Sequence, residues 1–272
     1  MTQRYSLAYL LLTVSGLIVV VPVFWIVLAG FRTPISLLSG TWQFDPVLDN
    51  FLEVLFSSTS DLLLNYRNSI IVGLASTCIC LAAGTLAAWS LDRLNWPGWV
   101  THVFLGWALV FQMIPPVALA SAWFGMERAV HLDNTLIGLI LAHATLNLPM
   151  AVWLMGVFVR DVPNELVEAA KIDGASGREL FFSIVLPIIA PGLAATTVLC
   201  FVFSWNEFAV ALNLTAKETA TVPVAIAKFA QDYQIQYTQM AATATLSILP
   251  ALVLLLIGQR YIVNGLTTGA LK

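Results

Sequence analysis

The chain has 272 residues, of which 59% are hydrophobic and only 10% charged, with a formal net charge of −3 and a mean hydropathy of +0.87. A soluble domain carries about a quarter charged residues, so this composition excludes one and specifies an integral membrane protein. The 12 basic residues form no cluster, which gives no purchase for nucleic acid as a partner.

A span needs about 20 mostly apolar residues to cross the hydrocarbon core. Six segments qualify, at about 7–30, 67–91, 99–123, 134–157, 184–211 and 240–262. The expectation is therefore an all-α fold of six transmembrane helices in a single domain over 1–272. The first segment is too long for a signal-peptide core and shows no trusted small-residue cleavage pattern, so it is read as a retained span. Residues 31–66, with Pro34, Pro46, Trp42 and several acids, fall outside the spans, as do 213–239. Either segment suits a docking surface for an external partner or a solvated connector.

Within the third segment Gln112 precedes Pro115 and Pro116, which remove backbone donors and predict a kink. In the fourth, Asn147 stands before Pro149; in the fifth, Asn206 and Glu207 follow Trp205. Polar side chains inside spans face a bundle interior, so Gln112, Asn147, Asn206 and Glu207 are candidates for a translocation pathway. Interhelical hydrogen bonding is the other use of such groups, and Glu207 could instead reach the outer interface. The nine tryptophans, Trp205 among them, suit interface anchoring better than stacking on a ligand. Cys78, Cys80 and Cys200 sit in apolar runs as small hydrophobes, and His102, His131 and His143 are scattered, so no metal site is expected.

Between the fourth and fifth spans lies a densely charged segment, 158–183, containing Asp161, Glu165, Glu168, Lys171, Asp173, Arg178 and Glu179. At about 2.5 to 3.5 kcal/mol per charge at a span centre, it cannot lie in lipid. Asp161 is positioned to cap a first helix with Pro163 in its first turn, and Gly174 to end it in a left-handed conformation. Ser176 and Glu179 have capping-box spacing, which starts a second helix running into Leu186-Pro187. On the first helix Val162, Leu166, Ala169 and Ala170 fall on one face, a narrow one suited to a partner's groove.

An even span count puts both termini and this segment on one side. Arg4, Arg93, Arg160, Lys171, Arg178, Arg260 and Lys272 lie there, against Arg32, Arg67, Arg128, Lys217 and Lys228 opposite, a lean toward cytoplasmic termini. The chain contains no GxxxxGK[ST] loop, so it does not cradle ATP in that manner.

Glu168-Ala169-Ala170, Gly174 and Ile184-Val185-Leu186-Pro187 reproduce the spacing EAA-x3-G-x9-I-x-LP and resemble the EAA motif of permease subunits of bacterial binding-protein-dependent ABC importers. Trp205-Asn206-Glu207-Phe208 looks like the WNEF of the sugar-importing branch, and 263–272 is similar to the tail of the second permease subunit of maltose-type systems. The resemblance implies a type I importer permease in the bacterial inner membrane, paired with a second permease, two copies of a cytoplasmic ATPase that bind ATP and magnesium, and an extracytoplasmic solute-binding protein. It also implies ATPase coupling through Glu168, Ala169, Ala170, Asp173 and Gly174, with Leu186 and Pro187 at the junction to the fifth span. Asn264, Gly265 and Gly269 would extend toward the ATPase. The substrate would be a sugar, oligosaccharide or polyol, with no cofactor bound to this chain. An ion-coupled secondary transporter is the alternative, although neither inverted repeats nor midplane ionisable residues are evident. A membrane enzyme lacks a convergent catalytic cluster.

Overall fold

A computed structural model describes residues 2–42, 44–94, 96–230 and 235–268, with side chains described between residues 8 and 259. Regular structure among these residues is entirely helical. In chain order the elements are α1 (Thr2–Gly30), α2 (Pro34–Leu38), α3 (Asp49–Phe56), α4 (Leu62–Arg93), α5 (Gly98–Met113), α6 (Pro116–Ala129) and α7 (Leu136–Arg160). They continue as α8 (Asn164–Ile172), α9 (Gly177–Glu179), a π-helical stretch Leu180–Val185, α10 (Leu186–Ile188), α11 (Ala190–Asn206), α12 (Ala209–Leu214), α13 (Val222–Lys228) and α14 (Tyr237–Thr268).

Four helices are long and apolar enough to cross a membrane: Ala8–Gly30 within α1, α4, α7, and Tyr237–Gln259 within α14. Two bent pairs bring the number of candidate spans to as many as six. The first pair, α5 and α6, turns by 101°, so the expected kink in 99–123 is in fact a break. Its cause is local: Ile114 precedes a proline and is extended at φ −77° and ψ 122°, and Pro116 then opens α6 where a missing amide costs nothing. The second pair, Gly177–Ile188 and α11, turns by 73° near Ile189, so the expected continuous span 184–211 is also interrupted. Pro191 follows at the start of α11.

The described residues group into two compact units. One runs to Leu63 and takes in Val224–Pro250. Here α1 is exposed along most of its length, at Leu10, Ile18 and Val20 among others, as suits a helix that is apolar all round and faces lipid or a partner. Its C-terminal end is tied down. Asn50 donates to the carbonyls of Gly30 and Arg32, both at 2.8 Å. Arg32, 1% exposed, donates to Thr41 O and lies 4.2 Å from the centre of the Phe44 ring. Part of 31–66 is therefore folded against the end of α1, where a free connector would make no such bonds.

The other unit comprises Leu64–Pro223 and the residues from Ala251 on. Its helices approach closely through small residues, the packing mode available where lipid removes the hydrophobic drive. A Cβ on Gly73 would meet the Phe201 ring at 2.8 Å, and one on Gly84 would meet Ala151 Cβ at 3.0 Å, so α4 sits tightly on α11 and α7. Gly192 is the tightest of these sites, with the Phe158 ring 2.2 Å from where a Cβ would stand. Gly192→Ala is expected to destabilise the subunit by about 1–3 kcal/mol through overpacking. Thermal unfolding in detergent checks this: the midpoint should fall, and Phe158→Leu in the same chain should restore part of the loss.

Candidate functional site

The charged segment is rigidly mounted. Val167 and Ala170 of α8 are buried with Ala88 of α4, Met155 and Val159 of α7, and Leu180 and Phe181 of the π-helical stretch. The inward face of α8 is thus Val167 and Ala170, and the stripe expected to meet a partner is split: Leu166 and Ala169 are exposed, whereas Val162 and Ala170 are buried in the chain's own core. Glu168, Ala169 and Lys171 point outward with Ile172, which is 85% exposed. An outward face mixing charge with bare apolar surface is the composition of a docking site.

The ends of α8 are fixed by local chemistry. Asp161 stands at the C-cap of α7, and the N-cap position of α8, expected at Asp161, is held by Pro163. At the other end Gly174 has φ +83°, its N–H bonds to Lys171 O at 3.1 Å and Ala175 N–H bonds to Ala170 O at 2.9 Å. This is the Schellman pattern, which satisfies the last carbonyls of a helix and favours glycine at the left-handed position. The capping box at Ser176 is also present: Ser176 N–H donates to Glu179 Oε2 at 2.8 Å and Glu179 N–H to Ser176 Oγ at 3.3 Å. The backbone and hydroxyl bonds from Ser176 hold the Glu179 carboxyl below its usual range.

Beside α8 lies a cleft of about 390 Å³ whose walls include Asp92, Arg93, Asn164, Glu168 and Lys171. Arg93, the last residue of α4, organises it. Its Nη2 donates to Val162 O at 2.6 Å and Val159 O at 3.2 Å, and its Nη1 donates to Asn164 Oδ1. An ion pair to Asp92 at 2.8 Å and the Trp89 ring at 5.7 Å complete its surroundings. One guanidinium therefore binds the end of α4, the end of α7 and the start of α8. Sequence reasoning counted Arg93 only as a positive charge. Its place at the end of a long helix was the available signal.

Three of the four pathway candidates meet. Gln112, Asn147 and Glu207 line one pocket of about 200 Å³, with Phe111 and Phe203 among the apolar walls. Gln112 Nε2 donates to Leu146 O at 3.3 Å. Asn206 is not among the lining residues, and its amide donates to Val202 O one turn back at 2.8 Å. Glu207 does not reach outward to an interface: its side chain is 10% exposed, and its two oxygens accept from Val210 N–H and Ala211 N–H, both at 2.9 Å. A carboxylate there satisfies amides that have no intrahelical partner at the start of α12.

His143, dismissed in sequence as one of three scattered histidines, is the group behind that carboxylate. It is 1% exposed, with Nδ1 2.7 Å from Ser204 Oγ and Nε2 3.5 Å from Glu207 Oε2. Ser76 Oγ–H reaches Ser204 Oγ at 3.2 Å. A neutral imidazole that accepts from Ser204 carries its proton on Nε2, toward the carboxylate. These groups join α4, α7 and α11 and are closed to solvent, so they brace the pocket. Trp205 is 3% exposed and stacks on Phe201 at 5.7 Å, which makes it core, unlike the exposed Trp99 and Trp107.

Asn264 and Gly265 lie on the last turns of α14, and Gly269 lies outside the described residues. Among the described residues no group of three or more His, Cys, Asp and Glu is placed to hold a metal ion.

Residues 80–268 match the family described as binding-protein-dependent transport system inner membrane component. The trehalose transport system permease protein SugB of Mycobacterium tuberculosis (strain CDC 1551 / Oshkosh) is 38% identical over 259 residues, covering 92% of each chain. The trehalose/maltose transport system permease protein MalG of Thermococcus litoralis is 32% identical over 261 residues, 94% of this chain and 93% of the other. A solved bacterial ABC transporter involved in import of the acidic polysaccharide alginate shares the fold at a TM-score of 0.75 and 19% identity, over 94% of this chain and 95% of that one.

Proposed function

Since the chain belongs to the family of inner membrane components of binding-protein-dependent transport systems, we propose that it forms half of the translocation pathway of an ATP-driven sugar importer, with α8 as the segment that receives the ATPase. The observation that carries this is the mounting of α8, buried through Val167 and Ala170 and bare on the side of Glu168, Ala169 and Lys171. A segment that transmits force needs a fixed inner face and a free outer one.

The partners in this reading are a second permease, two copies of a cytoplasmic ATPase carrying ATP and magnesium, and an extracytoplasmic solute-binding protein, with residues 1–272 acting as one permease domain and both termini cytoplasmic. Glu168, Ala169, Asp173 and Gly174 meet the ATPase, Ala170 backs them from the core, and Leu186-Pro187 passes the motion to α11. Asn264, Gly265 and Gly269 extend the same contact. Closure of the ATPase pair stabilises one of two arrangements of the spans, and that difference in stabilisation drives alternating access. The pocket at Gln112, Asn147 and Glu207 presents amides and a carboxylate to hydroxyl groups beside Phe111 and Phe203, a lining suited to a sugar. Family membership leaves the ion-coupled alternative without support.

The test is purification from the native membrane in mild detergent, then uptake assays with trehalose and maltose in reconstituted vesicles. Recovery of a second permease and an ATPase stimulated by a sugar-loaded binding protein is the expected result. Recovery of this chain alone, with uptake driven by a proton or sodium gradient, would overturn the proposal.

A further inference from the structure

The two ends of α4 each carry a cluster of hydrogen bonds to distant segments, and in the membrane arrangement proposed above they lie on opposite faces. From Asn68 to Arg93 the helix runs about 38 Å at 1.5 Å per residue, longer than the roughly 30 Å hydrocarbon core. No proline interrupts it. At the inner end Arg93 binds Val159 O, Val162 O and Asn164. At the outer end Asn68 Nδ2 donates to Glu218 O at 2.9 Å and Ala220 O at 3.0 Å, and Ser69 Oγ accepts from Val222 N–H at 2.8 Å. The same outer segment is held from its other side by Asn134 Oδ1, which accepts from Ala216 N–H at 2.8 Å and from the Thr219 hydroxyl.

We infer that α4 is a rod through which the ATPase-facing segment and the outer segment 216–222 sense each other. The inference rests on the coupling role proposed for α8. Three properties support it. The helix is continuous, so a displacement at Arg93 is delivered along its length. Its shaft is packed closely at Gly73 against Phe201 and at Gly84 against Ala151, approaches that hold it against bending aside. At both ends bonds go to backbone, beside the one from Arg93 to the Asn164 side chain, so movement of the rod moves the chain it holds. Coupling of this kind is reciprocal: whatever the ATPase state does to 216–222, a partner bound at 216–222 does to the ATPase. Arg93 and Asn68 are positioning residues in this scheme, since neither touches nucleotide or substrate.

Amide hydrogen exchange of 216–222 in the intact transporter tests it. Exchange is read in the nucleotide-free complex and after trapping with ATP, magnesium and vanadate. The unsubstituted complex should change exchange in this segment several-fold on trapping, and Arg93→Gln and Asn68→Leu should each abolish that change. A merely structural role would shift exchange equally in both states and leave the difference intact. Should Arg93→Gln fail to assemble, Asn164→Ala removes one of its contacts and should reduce the change. An unsubstituted complex without any change, or an Arg93→Gln or Asn164→Ala complex with the full change, overturns the inference. Gly174→Asp separates the two levels: normal uptake by that variant defeats the coupling role itself, whereas blocked uptake together with a full response in the Arg93 variant defeats only the rod.

Discussion

Gly174→Asp should reduce sugar uptake at least tenfold while the subunit still accumulates in the membrane. The site is unusual in combining a backbone demand with free space: φ is +83°, yet no atom lies within 4 Å of where a Cβ would stand. The substitution therefore provokes no clash. Left-handed backbone costs a non-glycine residue about 1–2 kcal/mol, and aspartate is among the more tolerant types. A carboxylate at the C-terminus of α8 adds a few tenths to about 1 kcal/mol against the helix dipole. These costs are small for the subunit and large for a surface that must seat in a partner, because a charge now projects beside Glu168 and Ala169. Gly174→Asn supplies the control, since it takes the left-handed conformation without the charge and should retain most uptake. Wild-type uptake by the Asp variant would remove the segment from the coupling path.

Glu207→Ala should be the more damaging of the substitutions at the polar pocket. It frees the amides of Val210 and Ala211 and removes the carboxylate 3.5 Å from His143 Nε2. Loss of a helix cap costs about 1–2 kcal/mol and an unsatisfied buried donor about 1–3 kcal/mol. The expected outcome is a lower unfolding midpoint together with uptake reduced more than tenfold. Glu207→Gln keeps one acceptor oxygen and the side-chain volume, so it should preserve most of the stability while lowering uptake. Kinetics distinguish the roles: a rise in KM with Vmax retained in the Gln variant places the carboxylate against substrate, and a fall in Vmax alone places it in the moving parts. An Ala variant with unchanged midpoint and uptake would show that Glu207 serves neither.

The segment from Glu168 to Pro187 was legible in sequence because its determinants are local. A left-handed glycine and a serine with glutamate three residues on each act within one turn, so spacing alone located the end of α8 and the start of α9. The break between α5 and α6 was half legible: Pro115 and Pro116 marked the place, but a bend of 101° depends on what the following helix packs against. Periodicity grouped Val162 and Ala170 with the residues offered to a partner, whereas their burial beside Val167 is set by α4 and α7, outside the local pattern. The brace behind Glu207 was invisible for the same reason. His143 and Ser204 are distant in the chain, and nothing near either one announces the other.

The π-helical stretch Leu180–Val185 has a consequence for how this chain tolerates insertions and deletions. Leu186 N–H bonds to Phe181 O, five residues back, so the stretch holds one residue more per turn than an α-helix would. Each residue of an α-helix advances the facing direction by about 100°, at 3.6 per turn. Deleting one residue here lets the stretch relax to α-helix while leaving the facing of everything downstream nearly as it was, because the surplus residue is the one removed. Deleting one residue from the regular turns of α11 before Thr196 has no such slack, and Thr196, Cys200 and Ser204 would swing about 100° away from Met155, Cys80 and His143. The π-helical turn is thus the place where the spacing from Gly174 to Leu186-Pro187 can lose a residue without resetting the azimuth of a distant helix.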